Sequence, residues 1–306
     1  MKRFNNKNKR LQRQQILYSN NYHLACFFMI LASFTVLFLN HYVYRYQGFN
    51  YMIKNIFDFL YAAFFLKILS RFFEKFKRFE HFADDCLRLF ACFLILMLAT
   101  TAVQYTPFEL IDPFLFKHES LHLTRLIDWT KAHHQLYKQL AHIYNSLNYT
   151  IFLIPLLFIL MRQTHQVNHF CHYIIFTGLM GFMFYFFFPS CGPVHLYDKI
   201  HFSAAQINNY QKFYEIHHGL MPSKKTGGMI ACPSFHVIWA WACARFFCFN
   251  WMFFAVALSW FFAVCASTIL LGWHYSLDVL TALLIISTYE IGSIWALKRS
   301  PYWFSN

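Results

Sequence analysis

Apolar runs close to twenty residues long recur along the chain, separated by shorter stretches in which charged and amide residues collect. They fall at roughly 24–43, 51–70, 86–106, 146–162, 170–189, 234–249, 251–271 and 276–297. A helix of about twenty apolar residues crosses about 30 Å of hydrocarbon. The pattern therefore predicts about eight transmembrane helices packed as an all-α, polytopic membrane bundle. The second run is the least regular, because Lys54, Asp58 and Lys67 interrupt it. Lys54 and Asp58 are four apart and can pair on one helix face. The first run is longer than the core of a signal peptide and has no convincing cleavage site, so it reads as a retained signal anchor.

Composition points the same way. Only 13% of the residues are charged and 58% are apolar, whereas a soluble domain carries about 25% charged residues. A water-facing surface cannot be assembled from this inventory. The net charge of +13 raises the question of nucleic acid, but no basic-aromatic recognition module accompanies it. The basic residues instead collect where membrane orientation needs them: Lys2, Arg3, Lys7, Lys9, Arg10 and Arg13 precede the first run. With that tail in the cytoplasm, Arg71, Lys75, Lys77, Arg78, Arg162, Lys298 and Arg299 also fall inside. The long connections at 107–145 and 190–233 fall outside. The first is expected to carry an amphipathic interfacial helix.

Two strings carry the chemistry: Pro233-Ser234-Phe235-His236, and Ser267-Thr268 followed by His274 and Asp278. The alternation of spans places both on the extracytoplasmic face. His274 and Asp278 are four apart, so the carboxylate can hold one ring nitrogen and leave the other free to attack. Ser267 lies two turns before His274 if its helix continues. Ser234, after a proline, suits a helix N-cap, and His236 then opens a helix whose exposed N–H groups attract phosphate.

These strings resemble the second and third motifs of the type 2 phosphatidic acid phosphatase superfamily, Pro-Ser-Gly-His and Ser-Arg-x5-His-x3-Asp, with Phe235 for Gly and Thr268 for Arg. The resemblance implies a six-helix catalytic core at 86–297. The rest of the chain is then a basic tail at 1–23, two additional transmembrane helices at 24–85, and a tail at 298–306. It implies His274 as a nucleophile forming a phosphohistidine, Asp278 as its orienter and His236 as the acid for the leaving group. Ser234 and Ser267 would hold phosphate oxygens, and neither cofactor nor metal is implied. The family's first motif, Lys-x6-Arg-Pro, is missing; Pro189-Ser190-Cys191-Gly192-Pro193-Val194-His195 stands in its place. A phosphoryl transition state needs positive charge, so Lys224 and Lys225 are the candidate substitutes, with Lys199 and Lys212 behind them.

This degenerate pattern looks most like the inositol phosphorylceramide synthase branch, an inositolphosphotransferase. The expected partners are therefore a phospholipid or lipid phosphate in the bilayer, with a lipid alcohol as acceptor. Water as acceptor would give a lipid phosphate or polyprenyl diphosphate phosphatase. A transporter or scaffold with a vestigial site is the non-enzymatic alternative, although no pair of related halves supports it. The 17 histidines include His118 and His122, His133-His134 and His217-His218, but none has the spacing of a zinc site. Cys191 and Cys232 share one external loop and are candidates for a disulfide that would brace it.

Overall fold

A computed structural model describes residues 22–46, 49–73, 80–223 and 230–299. The basic N-terminal tail, the cluster at Lys75, Lys77 and Arg78, the lysines Lys224 and Lys225, and residues 300–306 lie outside the described residues. Among the described residues the chain is helical and contains no strand. The helices are α1 (Tyr22–Val43), α2 (Phe49–Phe73), α3 (Glu80–Ala102), α4 (Asp112–Ala132), α5 (His134–Leu160), α6 (Thr164–Phe187), α7 (Ala204–His217), α8 (Phe235–Arg245), α9 (Trp251–Leu270) and α10 (Ser276–Arg299).

Five of these, α1, α5, α6, α9 and α10, are long and apolar enough to cross a membrane. Helices α2 and α3 have the length but are interrupted by charge: Lys54, Asp58, Lys67 and Arg71 in the first, and Glu80, Asp84, Asp85 and Arg88 in the second. The outward faces are apolar. Phe27, Phe64, Phe152, Leu153, Phe253, Val256, Leu284 and Ile291 are all exposed, which water would penalise and acyl chains would not. The chain is an integral, multi-pass membrane bundle.

Helix α8 departs from expectation. The run 234–249 predicts a full span, yet the helix has 11 residues and is about 17 Å long at 1.5 Å per residue. The chain turns instead at Phe246–Asn250, where the Asn250 side chain accepts the Met252 and Phe253 N–H groups and starts α9. The short helix is tolerated because α8 is enclosed: Val237, Ile238, Ala240 and Cys243 are fully buried among α5, α6, α9 and α10. At its far end Arg245 pairs with Glu290 of α10 at 3.2 Å, and the Trp241 indole N–H donates to the same carboxylate at 2.9 Å. Helix α5 departs the other way, starting at His134 rather than near 146. Its extra turns bring Tyr144 and Asn145, next to Asn148, to the end of the bundle where the two motifs lie.

The connection at 107–145 does carry a helix, α4. Its Leu115, Leu123 and Ile127 form a small core with Val194, Tyr197, Phe202 and Tyr275, which seats α4 across the loops that follow α6 and α9. Gly272 ends α9 with φ of +74°, and a Cβ there would lie 2.6 Å from the Ile127 side chain; both the backbone and the packing require glycine. Glu119 of α4 then caps α10. Its carboxylate accepts the Ser276 N–H at 2.8 Å, the Ser276 hydroxyl at 2.8 Å and the Leu277 N–H at 3.1 Å, satisfying donors that a helix start leaves open. Glu119→Ala should therefore destabilise the bundle by about 1–2 kcal/mol, the usual worth of an N-cap. Unfolding in detergent checks this, and an unchanged midpoint would show that Glu119 holds nothing.

Candidate active site

The end of α6, the starts of α5, α8 and α10, and the end of α9 meet at one end of the bundle, so loops remote in sequence share a small volume. His236 and His274 both line one cavity there, of about 430 Å³, with ring centroids 6.2 Å apart. Tyr144, Asn145, Asn148, Asn208, Asn209 and Trp273 complete much of its wall.

His274 does not sit on a helix. Helix α9 stops at Leu270, and the Thr268 carbonyl accepts the N–H groups of Trp273 at 3.0 Å and His274 at 3.1 Å. The turn they close carries His274 into the cavity and takes it off the face of Ser267. The His274 Nδ1 lies 2.9 Å from the Ala231 carbonyl and 3.4 Å from Asp278 Oδ2. A carbonyl can only accept, so Nδ1 carries the proton and donates to Ala231, which in the neutral ring leaves the lone pair on Nε2. Asp278 reaches back from the first turn of α10 and also accepts the Tyr275 N–H at 3.0 Å. The carboxylate and the backbone carbonyl thus share the task that the spacing assigns to Asp278 alone. The Ala231 carbonyl has no sequence signature.

His236 is held by stacking. Its ring lies against Tyr144 at 4.1 Å and 17°, and Tyr144 stacks in turn on Trp273 at 5.3 Å and 5°. The Tyr144 hydroxyl reaches His236 Nδ1 at 3.4 Å. Tyr144 has no place in either motif; only the early start of α5 could have pointed to it. Phe235, which stands where the related motif has glycine, packs on Phe182 at 4.7 Å. Gly181 makes the room: a Cβ there would come within 2.7 Å of the Phe235 ring.

The segment Pro189–Pro193 is clamped by Asp112, the first residue of α4. Its carboxylate accepts the Ser190 hydroxyl at 3.1 Å and the N–H groups of Cys191 at 3.2 Å and Gly192 at 3.0 Å. Gly192 has φ of +89°, and a Cβ would lie 2.9 Å from the Trp273 carbonyl, so the loop passes the His274 turn with no space for a side chain. The Ala231 N–H donates to the Ser190 carbonyl at 3.1 Å, and the Ser234 N–H to the Asp278 carbonyl at 3.1 Å. The predicted disulfide is not formed. Cys191 and Cys232 are both free thiols, because Cys191 faces Asp112 whereas Cys232 faces Thr281 and Asp278. Backbone hydrogen bonds brace this loop instead.

The other candidate residues divide. Ser234 occupies the N-cap position of α8, yet its buried hydroxyl makes no cap bond and has no hydrogen-bond partner among the described residues. Ser267 is buried, with its hydroxyl donating to the Val264 carbonyl at 2.7 Å. It is turned into its own helix. Lys199 lies over the Tyr210 ring, 5.3 Å from its centroid, and does not line the cavity. Lys212 lines an adjoining cavity together with His236. Among the described residues no group of three His, Cys, Asp or Glu side chains could hold a metal ion.

Burial pushes the Asp112 carboxyl up to about 7, and nearby Asp278 adds to the rise; the hydrogen bonds from Cys191, Ser190 and Gly192 hold it down only in part. An ordinary aspartate titrates near about 4. Below that pH both folded and unfolded chains hold this proton, and above about 7 neither does. Between the two only the folded protein keeps it, so stability falls as pH rises through this window. Asp112→Asn should remove that part of the slope. Melting in detergent from acid to neutral pH measures it, and equal slopes in variant and wild type would contradict the assignment.

No curated protein and no solved structure matches the chain. A family does: residues 115–289 match the PAP2 superfamily, a stretch that begins in α4, ends in α10 and contains both histidine motifs and the cavity between them. More than half of the sequence carries that match, and the chain belongs to the PAP2 superfamily, whose members are phosphatases and phosphotransferases.

Proposed function

We propose that the protein is a lipid phosphotransferase that moves a phospho-headgroup between membrane lipids through a phosphohistidine on His274. One observation carries the reading. His274 faces His236 across a single cavity, with the proton of its Nδ1 committed to Ala231 and its Nε2 left as the nucleophile. In the first step Nε2 attacks phosphorus, the bond to the lipid oxygen breaks, and His236 gives that oxygen its proton. In the second step an acceptor hydroxyl passes its proton to His236 while its oxygen attacks phosphorus and frees His274. Asp278 and the Ala231 carbonyl orient His274 and favour the charge it gains. Tyr144 and Trp273 keep the His236 ring in line. The hydroxyl of Ser234 is free to hold a phosphate oxygen.

Transfer to an alcohol is favoured over hydrolysis by the walls of the cavity. Asn145, Asn148, Asn208 and Asn209 bring four carboxamides to it, and Trp273 adds an aromatic face. Amides donate and accept in equal measure and suit a neutral, hydroxyl-rich group such as inositol. A site for inorganic phosphate alone would need no such lining.

The test uses purified protein in lipid nanodiscs with a labelled phosphoinositide donor, with and without a lipid alcohol such as ceramide. Label should move to the alcohol. Release of the phospho-headgroup to water at the same rate in both would make the protein a hydrolase instead. His274→Ala should cost at least about 1,000-fold in rate, as loss of a covalent nucleophile does. Full activity in that variant would end the phosphohistidine mechanism. A further variant probes the acceptor side: Asn148→Leu should raise KM for the hydroxylated substrate while leaving the melting temperature near that of the wild type.

A further inference from the structure

A second cavity, of about 550 Å³, meets the first at His236 and Asn148. Its walls come from Leu96 and Met97 of α3, Ile151 and Phe152 of α5 and Trp239 of α8. Phe152 is 52% exposed and Met97 39%, so this cavity opens on the apolar face of the bundle. Lys212 also borders it. Among the described residues, Lys212 is the one lysine or arginine bordering either cavity; Asp58 of α2 also lies on the wall.

The sequence places Lys212 there by building α7 rigidly. Ser203 and Gln206 form a reciprocal capping box at the start of that helix. The Gln206 side chain donates to the Leu271 carbonyl at 3.0 Å and so fastens α7 to the end of α9. Phe213 and Ile216 are buried, and this fixes the rotation of the helix and turns Lys212 inward, where it is 4% exposed. The second cavity therefore brings an apolar wall, an ammonium and a histidine together. A phospholipid likewise joins acyl chain, phosphate and headgroup.

We infer that Lys212 receives the phosphate of the donor lipid in the second cavity, whose wall it shares with His236, as the cation that stands in for the missing Lys-x6-Arg-Pro motif. This rests on the phosphotransfer reading above. The lysine supplies a point charge to the equatorial oxygens while His274 attacks and His236 protonates the leaving oxygen. Burial pulls the pKa of Lys212 below the ordinary lysine range, and the negative charge of a bound phosphodiester favours its charged form. An apolar chain in the second cavity leaves the amide-lined first cavity to the headgroup and acceptor.

The experiment compares wild type, Lys212→Met, Lys212→Arg and His274→Ala in nanodiscs. Lys212→Met should lose about 100-fold in kcat/KM for the donor phospholipid, the usual worth of one charge-stabilising donor, and Lys212→Arg should recover most of it. Inorganic phosphate should raise the melting temperature of wild type, Lys212→Arg and His274→Ala, but not of Lys212→Met. A Lys212→Met protein with wild-type kcat/KM and a wild-type response to phosphate overturns the role of Lys212 and leaves phosphotransfer standing. Full activity of His274→Ala overturns phosphotransfer itself. One measurement needs no variant: reductive methylation of Lys212 in the folded wild type, followed by mass spectrometry, should slow when inorganic phosphate is added. A rate indifferent to phosphate counts against the inference even where Lys212→Met does not fold.

Discussion

The hydrogen bond from His274 Nδ1 to the Ala231 carbonyl sets the chemistry that the rest of the site can support. It fixes which nitrogen holds the proton, and it does so with a group that cannot itself change protonation state. A carboxylate in that position could take the proton away; a carbonyl cannot. The bond is only as good as the placement of residue 231, and that placement is inherited. The same residue donates its N–H to Ser190, whose segment is clamped by Asp112 at the start of α4. On the other side Ser234 donates to the carbonyl of Asp278. The loops after α6, before α8 and after α9 are thereby tied through backbone groups into one unit. Glu119 fastens the last of them to α4 as well.

This dependence explains why a helix laid across the loops matters to a membrane bundle. In hydrocarbon every backbone polar group must find a partner, so irregular loops are pushed to the ends of the helices. There they compete with water, and only a cover can hold them in one arrangement. Helix α4 is that cover: its apolar face packs on the loops while Asp112 and Glu119 satisfy their open N–H groups. Burial of Asp112 carries a cost in the charge it must suppress. The cost is offset by precision at a residue that the carboxylate never touches.

Much of the architecture is legible in the sequence because hydropathy reports directly on the solvent each residue meets. The runs that become α1, α6, α9 and α10 face lipid along part of their length, and the ends of α1, α9 and α10 are placed closely, whereas α6 starts six residues earlier than its run. Helix α8 misled for the same reason: its apolar residues face other helices, so the run says nothing about spanning length. The two motifs were legible because local spacing carries them. His274 with Asp278, and Ser234 with His236, are short-range patterns. What escaped is what joins distant segments. Tyr144 reaches His236 across 92 positions, Glu119 reaches Ser276 across 157, and the Ala231 contact uses a backbone oxygen common to every residue. Cys191 and Cys232 misled because loop proximity was right and side-chain direction was not. Ser267 fell out because α9 ends three residues after it, before the expected two turns to His274 can form.

The departures from the family pattern have local physical answers that differ in kind. Phe235 replaces a glycine where space is needed, and Gly181 on the facing helix supplies that space. Thr268 replaces an arginine, and among the described residues no lysine or arginine lines the cavity of the two histidines. The Thr268 hydroxyl donates to the Cys265 carbonyl at 2.7 Å, and its own carbonyl closes the turn that carries His274, so this position serves geometry alone. Volume can be exchanged between touching residues, but charge can be supplied from any element that borders the same cavity. That difference is why the replacement for Phe235 is found next door, and why a replacement for the arginine has to be sought on another helix altogether.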